Sequence, residues 1–197
     1  MIFALYSTMR ALSLAADTPE ETLLSRLRGG DTHALGEVYD QHHEAVRAFA
    51  CRLVGDAAIA EDLVHEVFVA LPRVIKRFAG ESTLRSFLTG VVINHARHHV
   101  RSASRRRAML TKVGREPLPE SRSPESSAEG QAFLVALNRA LDALPLDQRV
   151  AFVLCDVEER TSGEAAELVG APEATMRTRL FHARKKLRAA LEKEGIR

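Results

Sequence analysis

Two stretches of the sequence carry closely spaced basic side chains with no acidic residue between them. The first basic strip runs from Arg97 to Arg115, and the second basic strip runs from Arg177 to Arg188. Because neutralising phosphates with Lys and Arg releases condensed counterions, two such strips favour binding to a nucleic acid. Either strip alone is as readily explained as the solvated face of a helix, and it is their pairing that favours the nucleic-acid interpretation.

Metal binding and hydrolytic catalysis are the other chemistries that the sequence raises. His95, His98 and His99 are spaced to share one helix face, but no carboxylate or cysteine accompanies them nearby. A histidine within a basic strip serves as a hydrogen-bond donor without a metal. The acidic pairs Glu61-Asp62 and Glu158-Glu159 have no histidine at a recognisable ligand spacing. We therefore expect no metal, no cofactor and no enzymatic activity.

The net charge of +2 conceals the two strips, but the rest of the composition excludes whole classes of protein. Cys51 and Cys155 lie far apart and outside any CxxC motif, so neither a disulfide framework nor a cysteine-based zinc site is expected. No apolar stretch approaches the roughly 20 residues of a membrane span. Residues 1–20 read as a frayed extension starting at Met1 or Met9, and they make a poor secretory signal. We expect a cytoplasmic protein without membrane insertion.

Helical periodicity dominates the sequence, and the expected fold is all-α. Glycine and proline are scarce, at 11 and 7 of 197 residues, and runs with the period of two typical of strands are missing. Apolar spacing predicts a helix over Thr32–Val54 and then a second helix, which Asp56 caps and Pro72 should kink or end. A third helix is predicted from an N-cap at Ser82 to Arg101 or beyond.

A polar segment divides the chain into two halves. From about residue 115 to residue 127, prolines, serines and charged residues replace almost all apolar residues, which is typical of a flexible linker. Helical spacing resumes beyond this segment. We predict two small helical domains, residues 21–107 and residues 129–197, joined by a flexible linker over residues 108–128.

The second half contains the pattern of a helix-turn-helix. Thr161 to Glu164 fits a capping box, Gly170 can take the left-handed conformation of a tight turn, and Pro172 can open the next helix. This helix, from Pro172 to about Leu191, presents a basic outward face, as a recognition helix in a major groove requires. A helical hairpin with a solvated basic side is the alternative. The inward residues are Met176, Leu180, Ala183, Leu187 and Leu191, and the outward ones are Arg177, Thr178, Phe181, His182 and Lys185.

Taken in order, these motifs make the chain resemble one family over residues 23–191. It is similar to bacterial RNA polymerase sigma factors of the extracytoplasmic-function (ECF) group of the sigma-70 family. Single motifs are weak, but the ordered set at the family's spacing is specific. The motifs include Arg52–Asp56, Ala60–Val64 and Glu66–Phe68 in the first half, and Leu144-Pro145, Gln148-Arg149, Gly170, Pro172 and Arg179-Leu180 in the second.

The resemblance implies a function and a set of partners. Members of this family bind core RNA polymerase at the β′ clamp and the β flap, recognise the −35 and −10 promoter elements, and melt the latter. An anti-sigma factor is the regulator that the resemblance implies. The alternative is a sigma-like interaction protein that sequesters or titrates a regulator without initiating transcription. The presence of both basic strips argues against this alternative.

The resemblance also assigns roles to individual positions. This chain has His65 where the family usually has Gln, Phe87 where it has Trp, and His182 where it often has Arg. Core packing is the alternative role of Leu63 and Val67, and the more favoured role of Phe87. The implied core-polymerase-binding residues are Asp62, Leu63, Glu66 and Val67. The implied −10 residues are Gly80, Glu81, Ser82, Asn94, Arg97 and Arg101, and the implied −35 residues are Thr175, Arg177, Thr178, Arg179, Phe181, His182 and Lys185.

Overall fold

The computed structural model describes residues 19–80, 82–109 and 128–195. Throughout these ranges the regular elements are helical and no strand occurs, which confirms the all-α prediction. A 3₁₀ turn, Ile75–Arg77, and a π-helical segment, Val153–Val157, interrupt the α-helices. The α-helices of the described residues are α1 (Pro19–Arg28), α2 (Thr32–Val54), α3 (Ala57–Val74), α4 (Leu84–Met109), α5 (Ala128–Asp142), α6 (Leu146–Phe152), α7 (Ser162–Val169) and α8 (Glu173–Lys193).

Two of the segments predicted from sequence fall largely outside the described residues. The N-terminal extension was predicted over residues 1–20, and α1 begins within its last two positions. Most of the linker predicted over residues 108–128 is also outside, while α4 continues to Met109 and α5 begins at Ala128. In the part of the chain that the structure describes, no helix is both long enough and apolar enough to cross a membrane.

Local capping explains where α2 and α3 begin and end. The Asp31 carboxylate accepts hydrogen bonds from the His33 and Ala34 amides, at 2.8 and 3.3 Å, and so caps α2. Gly55 ends α2 in the left-handed conformation, with φ of 72°. Asp56 then caps α3 by accepting from the Ile59 amide at 3.0 Å. The bounds predicted for α2 and the cap predicted for α3 are therefore confirmed.

The region between α3 and α4 confirms one prediction and corrects another. Pro72 lies inside α3, which ends two residues later and continues as the 3₁₀ turn. Proline removes one helical hydrogen bond, the one to the carbonyl a turn earlier. The predicted N-cap at Ser82 is wrong. Thr83 takes that role, since its hydroxyl accepts from the Ser86 amide at 3.1 Å. Thr83 directly precedes the first helical residue, whereas Ser82 is one position too early.

The helix-turn-helix forms with the turn chemistry that the sequence predicts. Thr161 and Glu164 make the reciprocal capping box at the start of α7, and Gly170 ends α7 with φ of 65°. Pro172 occupies the N-cap of α8 rather than its first helical position, so α8 spans Glu173–Lys193. This shift by one residue has little effect on the helix, because neither the N-cap nor the first helical position needs an amide hydrogen for a bond within the helix.

One apolar core runs through both halves of the chain. Helices α1 to α4 bury their apolar faces together, and Leu53, Leu63 and Leu71 are almost fully enclosed. The same cluster continues into the second half through Leu154 and Met176. The two helical domains therefore pack directly against each other. A smaller cluster joins α5 to α8 through Ala140, Leu144, Ala183 and Leu187.

Candidate nucleic-acid interface

The outward face of α8 carries the side chains that the sequence predicts for base contact. Phe181 is 63% exposed, an unusual position for a large apolar side chain, and its ring lies 5.5 Å from that of His182. The opposite face is anchored in the core by Met176, Leu180 and Ala183. The predicted orientation is thus confirmed for all five outward residues, which are Arg177, Thr178, Phe181, His182 and Lys185.

Two polar side chains on this face form hydrogen bonds within α8 itself. The Arg177 Nε donates to a Glu173 carboxylate oxygen at 3.2 Å, one turn earlier on α8. Both side chains are about half exposed or more, so this pair contributes only about 0.3–0.5 kcal/mol. The Thr178 hydroxyl donates back to the Ala174 carbonyl at 2.9 Å. Bonds this weak leave Arg177 available to an incoming anion or base edge.

Acidic residues from other helices neutralise further cations of α8. Arg179 is half-buried and donates through Nη2 to Asp147 at 2.9 Å. The Arg184 Nε donates to Asp156 at 2.9 Å, and hydrogen bonding to this carboxylate raises the pKa of the guanidinium. Thr175 is likewise half-buried. The second basic strip contains no acidic residue in the sequence, but in the folded protein acidic side chains from other helices neutralise part of its positive charge.

The −10 positions are distributed along α4 and the turn before it. Gly80, with φ of 80°, and Ser82 are exposed in the turn before α4, and Glu81 lies outside the described residues. Asn94 and Arg101 are exposed further along the helix. At 1.5 Å per residue, Asn94 lies about 15 Å along α4 from its first residue. These positions form an extended track rather than one cluster.

Arg97 differs from its neighbours on α4. Its side chain is 20% exposed, and Nε and Nη2 each lie 3.1 Å from one Asp147 oxygen. The Asp147 carboxylate therefore contacts Arg97, which is assigned to the −10 element, and Arg179, which is assigned to the −35 element. Side chains of the first basic strip beyond Arg101 lie outside those that the structure describes.

The core-polymerase positions on α3 divide into two kinds. Asp62 and Glu66 are exposed, whereas Leu63 and Val67 are buried in the core, at 1% and 0% exposure. The Glu66 carboxylate also lies 2.9 Å from the His95 Nδ1. Among the described residues, no group of three or more potential metal-ligating side chains lies close together.

An open groove beside these residues was not predicted. It lies between α2 and α3 and includes His65, the position where the family usually has Gln. Tyr39 on α2 is 42% exposed and stacks on His43. Val69 is 64% exposed at the edge of the groove. Val69, an apolar residue at helical spacing from Asp62 and Glu66 on α3, was the signal that sequence reasoning missed.

Comparison with known protein families shows to which family this chain belongs. The family model for sigma-70 region 2 matches residues 38–106, and that for sigma-70 region 4 matches residues 134–187. This chain is a sigma factor of the sigma-70 family. The region 2 match covers α3 and most of α2 and α4, and the region 4 match covers most of the helix-turn-helix. The two matches therefore include part of the first basic strip and nearly all of the second.

Curated relatives agree with this assignment. The sigma factor is 25% identical over 181 residues to the RNA polymerase sigma-H factor of Pseudomonas aeruginosa, covering 88% of this chain and 94% of the relative. It is 31% identical over 160 residues to the ECF RNA polymerase sigma factor SigE of Mycolicibacterium smegmatis, covering 81% of this chain and 62% of the relative.

Solved structures share the fold. The sigma factor RpoE, in its complex with the anti-sigma factor NepR from Bartonella quintana, superposes with a TM-score of 0.65 at 25% identity, covering 80% of this chain and 96% of that one. CnrH, in complex with the cytosolic domain of CnrY, gives a TM-score of 0.59 at 21% identity, covering 87% of this chain and 96% of that one. The helical architecture is therefore that of sigma factors.

Phe87 of this sigma factor has the role that the sequence favoured. Its half-buried side chain packs against the shared core, and its ring lies 5.1 Å from that of Phe78. The aromatic pair fixes the turn before α4 against the end of the 3₁₀ segment. Core packing at Phe87 is thus confirmed.

Proposed function

We propose that this sigma factor reads the −35 element with the outward face of α8 and opens the −10 element along α4. The observation that carries the proposal is the exposed row on α8, which places an arginine, a hydroxyl and an aromatic ring on one face of an anchored helix. An arginine such as Arg177 takes guanine O6 and N7 through two hydrogen bonds, and Phe181 meets a thymine methyl group. His182 in place of arginine alters the base preference at its position.

The turn before α4 and α4 itself serve the −10 element in this proposal. We assign Gly80, Glu81 and Ser82 to holding an unstacked base, and Asn94, Arg97 and Arg101 to contacts with the strand and its phosphates. Unstacking a base costs a few kcal/mol, which hydrogen bonds to the base edge and stacking contacts must offset. The extended track on α4 is suited to a strand that passes along the helix.

Core RNA polymerase supplies the chemistry, and the sigma factor supplies no catalytic residue, metal or cofactor. We assign the β′ clamp contact to the exposed carboxylates of Asp62 and Glu66, with Leu63 and Val67 supporting α3 from the core. The second domain contacts the β flap. Because RpoE forms a complex with the anti-sigma factor NepR, we expect an anti-sigma factor here as well. The protein acts in the cytoplasm, where the polymerase is.

Transcription in vitro tests the function directly. Purified sigma factor added to bacterial core polymerase and a library of genomic fragments should produce RNA with defined 5′ ends, and core polymerase alone should produce none. The physical reason is that core polymerase lacks the base-reading face of α8. If no transcript in the library depends on the added protein, while the protein still binds a regulator, the sequestering alternative is correct.

Arg177→Ala should weaken recognition of the −35 element by about 1–3 kcal/mol, because a bidentate contact to guanine is lost. Lys186→Ala is the matched control, since it removes one positive charge from the same helix about half a turn around the axis. Binding of holoenzyme to promoters with a wild-type or mutated −35 element, followed by fluorescence anisotropy, measures the difference. Equal losses on both promoters for Arg177→Ala would show that this arginine contacts only phosphate.

A further inference from the structure

The turn before α4 begins at Phe78, a residue that three contacts hold. The Phe78 amide donates to the Ile75 carbonyl of the 3₁₀ turn at 3.0 Å. The residue is 6% exposed, and its ring lies 5.1 Å from that of Phe87 on α4. Its carbonyl accepts from Nη2 of Arg28, the last residue of α1, at 2.6 Å. The first two contacts are local, whereas the third joins residues 50 positions apart.

The three contacts act on different parts of the Phe78 backbone. Rotation about its Cα–C bond moves neither the amide nor the ring, but it moves the carbonyl and the residues that follow. Of these three contacts, only the bond from Arg28 therefore sets this angle, at ψ of 110°. Gly80 lies two Cα–Cα steps of about 3.8 Å further on, so a rotation of only about 10° moves its Cα by up to about 1 Å.

The residues after Phe78 gain little support from packing. Ala79, Gly80 and Ser82 are all exposed, and Thr83 at the far end of the turn caps α4. The path of the turn therefore depends on how its two ends are held. Groups that recognise a ligand must be held within about 0.5 Å of their productive positions. A displacement of about 1 Å at Gly80 exceeds this tolerance.

Helix α1 gives Arg28 a fixed support. Leu23, Leu24 and Leu27 are buried in the core, and Leu27 directly precedes Arg28. Arg28 itself is exposed, so its replacement leaves no buried charge, and water can reach the carbonyl beside the exposed turn. Loss of the Arg28 side chain should therefore leave the fold intact and free the direction in which the chain leaves Phe78.

We propose that Arg28 is a positioning residue for the −10 element, because its bond to the Phe78 carbonyl sets the path of the turn that holds the unstacked base. The inference rests on the proposed function, which assigns Gly80, Glu81 and Ser82 to that base. Arg28 acts through the turn and does not itself contact DNA. Helix α1 thus contributes to promoter opening, although it lies outside the segment that the sequence assigned to the −10 element.

The test uses holoenzyme assembled from core polymerase and the full-length chain. The probe is a labelled single-stranded oligonucleotide with the non-template −10 sequence of a promoter mapped in the genomic library. A parallel set of oligonucleotides has one abasic site, moved position by position through the element, and fluorescence anisotropy gives each affinity. We define the base-holding ratio as the affinity for the intact strand divided by that for the most weakly bound abasic strand. Losses of folded protein or of polymerase binding lower both affinities equally and leave this ratio unchanged.

The wild-type ratio should be about 5–150, the range that corresponds to one stacked base. Arg28→Ala should lower this ratio by about 2–12-fold, which corresponds to one net hydrogen bond to the base. Arg28→Lys should retain most of the ratio, because an ammonium group also donates to a carbonyl. Arg26→Ala is the matched control, since it removes the same charge from α1. Arg26 bonds to Asp31 and Glu37 rather than to the turn, so its loss should leave the wild-type ratio.

Two results with Arg28→Ala overturn the inference. One is a ratio equal to that of the wild type. The other is an equal loss of affinity for intact and abasic strands, with a plot of log affinity against log salt that is shallower by about 0.7, because this shows direct contact with a phosphate. Circular dichroism establishes that each variant is folded. If Arg28→Ala unfolds, Arg28→Met replaces it, since methionine keeps an apolar stem without the donor.

The wild-type measurement separates this inference from the proposed function. Wild-type holoenzyme that binds intact and abasic strands equally contradicts the base-holding role of the turn, and the positioning role of Arg28 is overturned with it. Wild-type holoenzyme that discriminates, together with an Arg28→Ala holoenzyme that discriminates equally, contradicts the positioning role alone.

Discussion

Leu63→Ala is expected to lower the free energy of unfolding by about 2–5 kcal/mol, the range for truncating a fully enclosed leucine. Leu63 is 1% exposed and lies in the core that α3 shares with its neighbours. Alanine removes apolar contacts and leaves a cavity that the surrounding helices fill only in part. Urea unfolding followed by circular dichroism at 222 nm, a wavelength that reports helix, measures the loss.

Asp62→Ala is the matched comparison, because the two residues are adjacent on α3 and both were assigned to core-polymerase binding. Asp62 is exposed, so its replacement should change stability by no more than about 0.5 kcal/mol. In a binding assay with core polymerase, Asp62→Ala should lose affinity while fully folded. A Leu63→Ala protein that unfolds at the wild-type urea concentration, yet fails to bind polymerase, would show that Leu63 is itself a contact residue.

Gly55→Ala is expected to be the more damaging of two alanine substitutions at helix ends. Gly55 and Gly170 both end helices with positive φ, at 72° and 65°, where alanine costs about 1–2 kcal/mol. A Cβ at Gly170 meets no atom within 4 Å, whereas a Cβ at Gly55 would lie 2.6 Å from an Asp142 carboxylate oxygen. Asp142 must therefore move.

Movement of Asp142 affects a buried charge. Its Oδ1 lies 2.9 Å from Nη1 of Arg149, which is 8% exposed, and burial lowers the pKa of this guanidinium. Loss of the carboxylate leaves Arg149 poorly compensated, at an added cost of about 1–3 kcal/mol for Gly55→Ala. In an Asp142→Ala background this excess should vanish, and urea unfolding of the four proteins of the cycle measures it. Equal effects of Gly55→Ala and Gly170→Ala in the wild-type background would contradict the clash.

Much of the local structure is encoded in short patterns. The bounds of α2, the cap at Asp56 and the capping box at Thr161 follow from residues within four positions of each other, because helix ends are satisfied by neighbouring side chains. The outward face of α8 follows from the helical repeat alone. Ser82 was misassigned because Thr83 offers the same hydroxyl one position later.

The short helix α1 was missed for a different reason. It has ten residues, and isolated helices of that length are marginal without tertiary contacts. Its stability comes from burying Leu23, Leu24 and Leu27 against the core. The sequence places three leucines at helical spacing there, but only the packed structure supplies the surface that makes the helix form.

By itself, the sequence determined an all-helical chain with two basic strips, a helix-turn-helix and the motifs of its family, since these depend on order and short spacing. Only the tertiary structure decided which of those cations are exposed. Asp147 meets Arg97 and Arg179 across 50 and 32 residues. No local pattern encodes such a pairing, because it depends on how two halves with a shared apolar core pack together. The basic residues along the sequence predicted the two basic surfaces. In the folded protein, the Asp147 carboxylate joins the two surfaces by contacting Arg97 and Arg179.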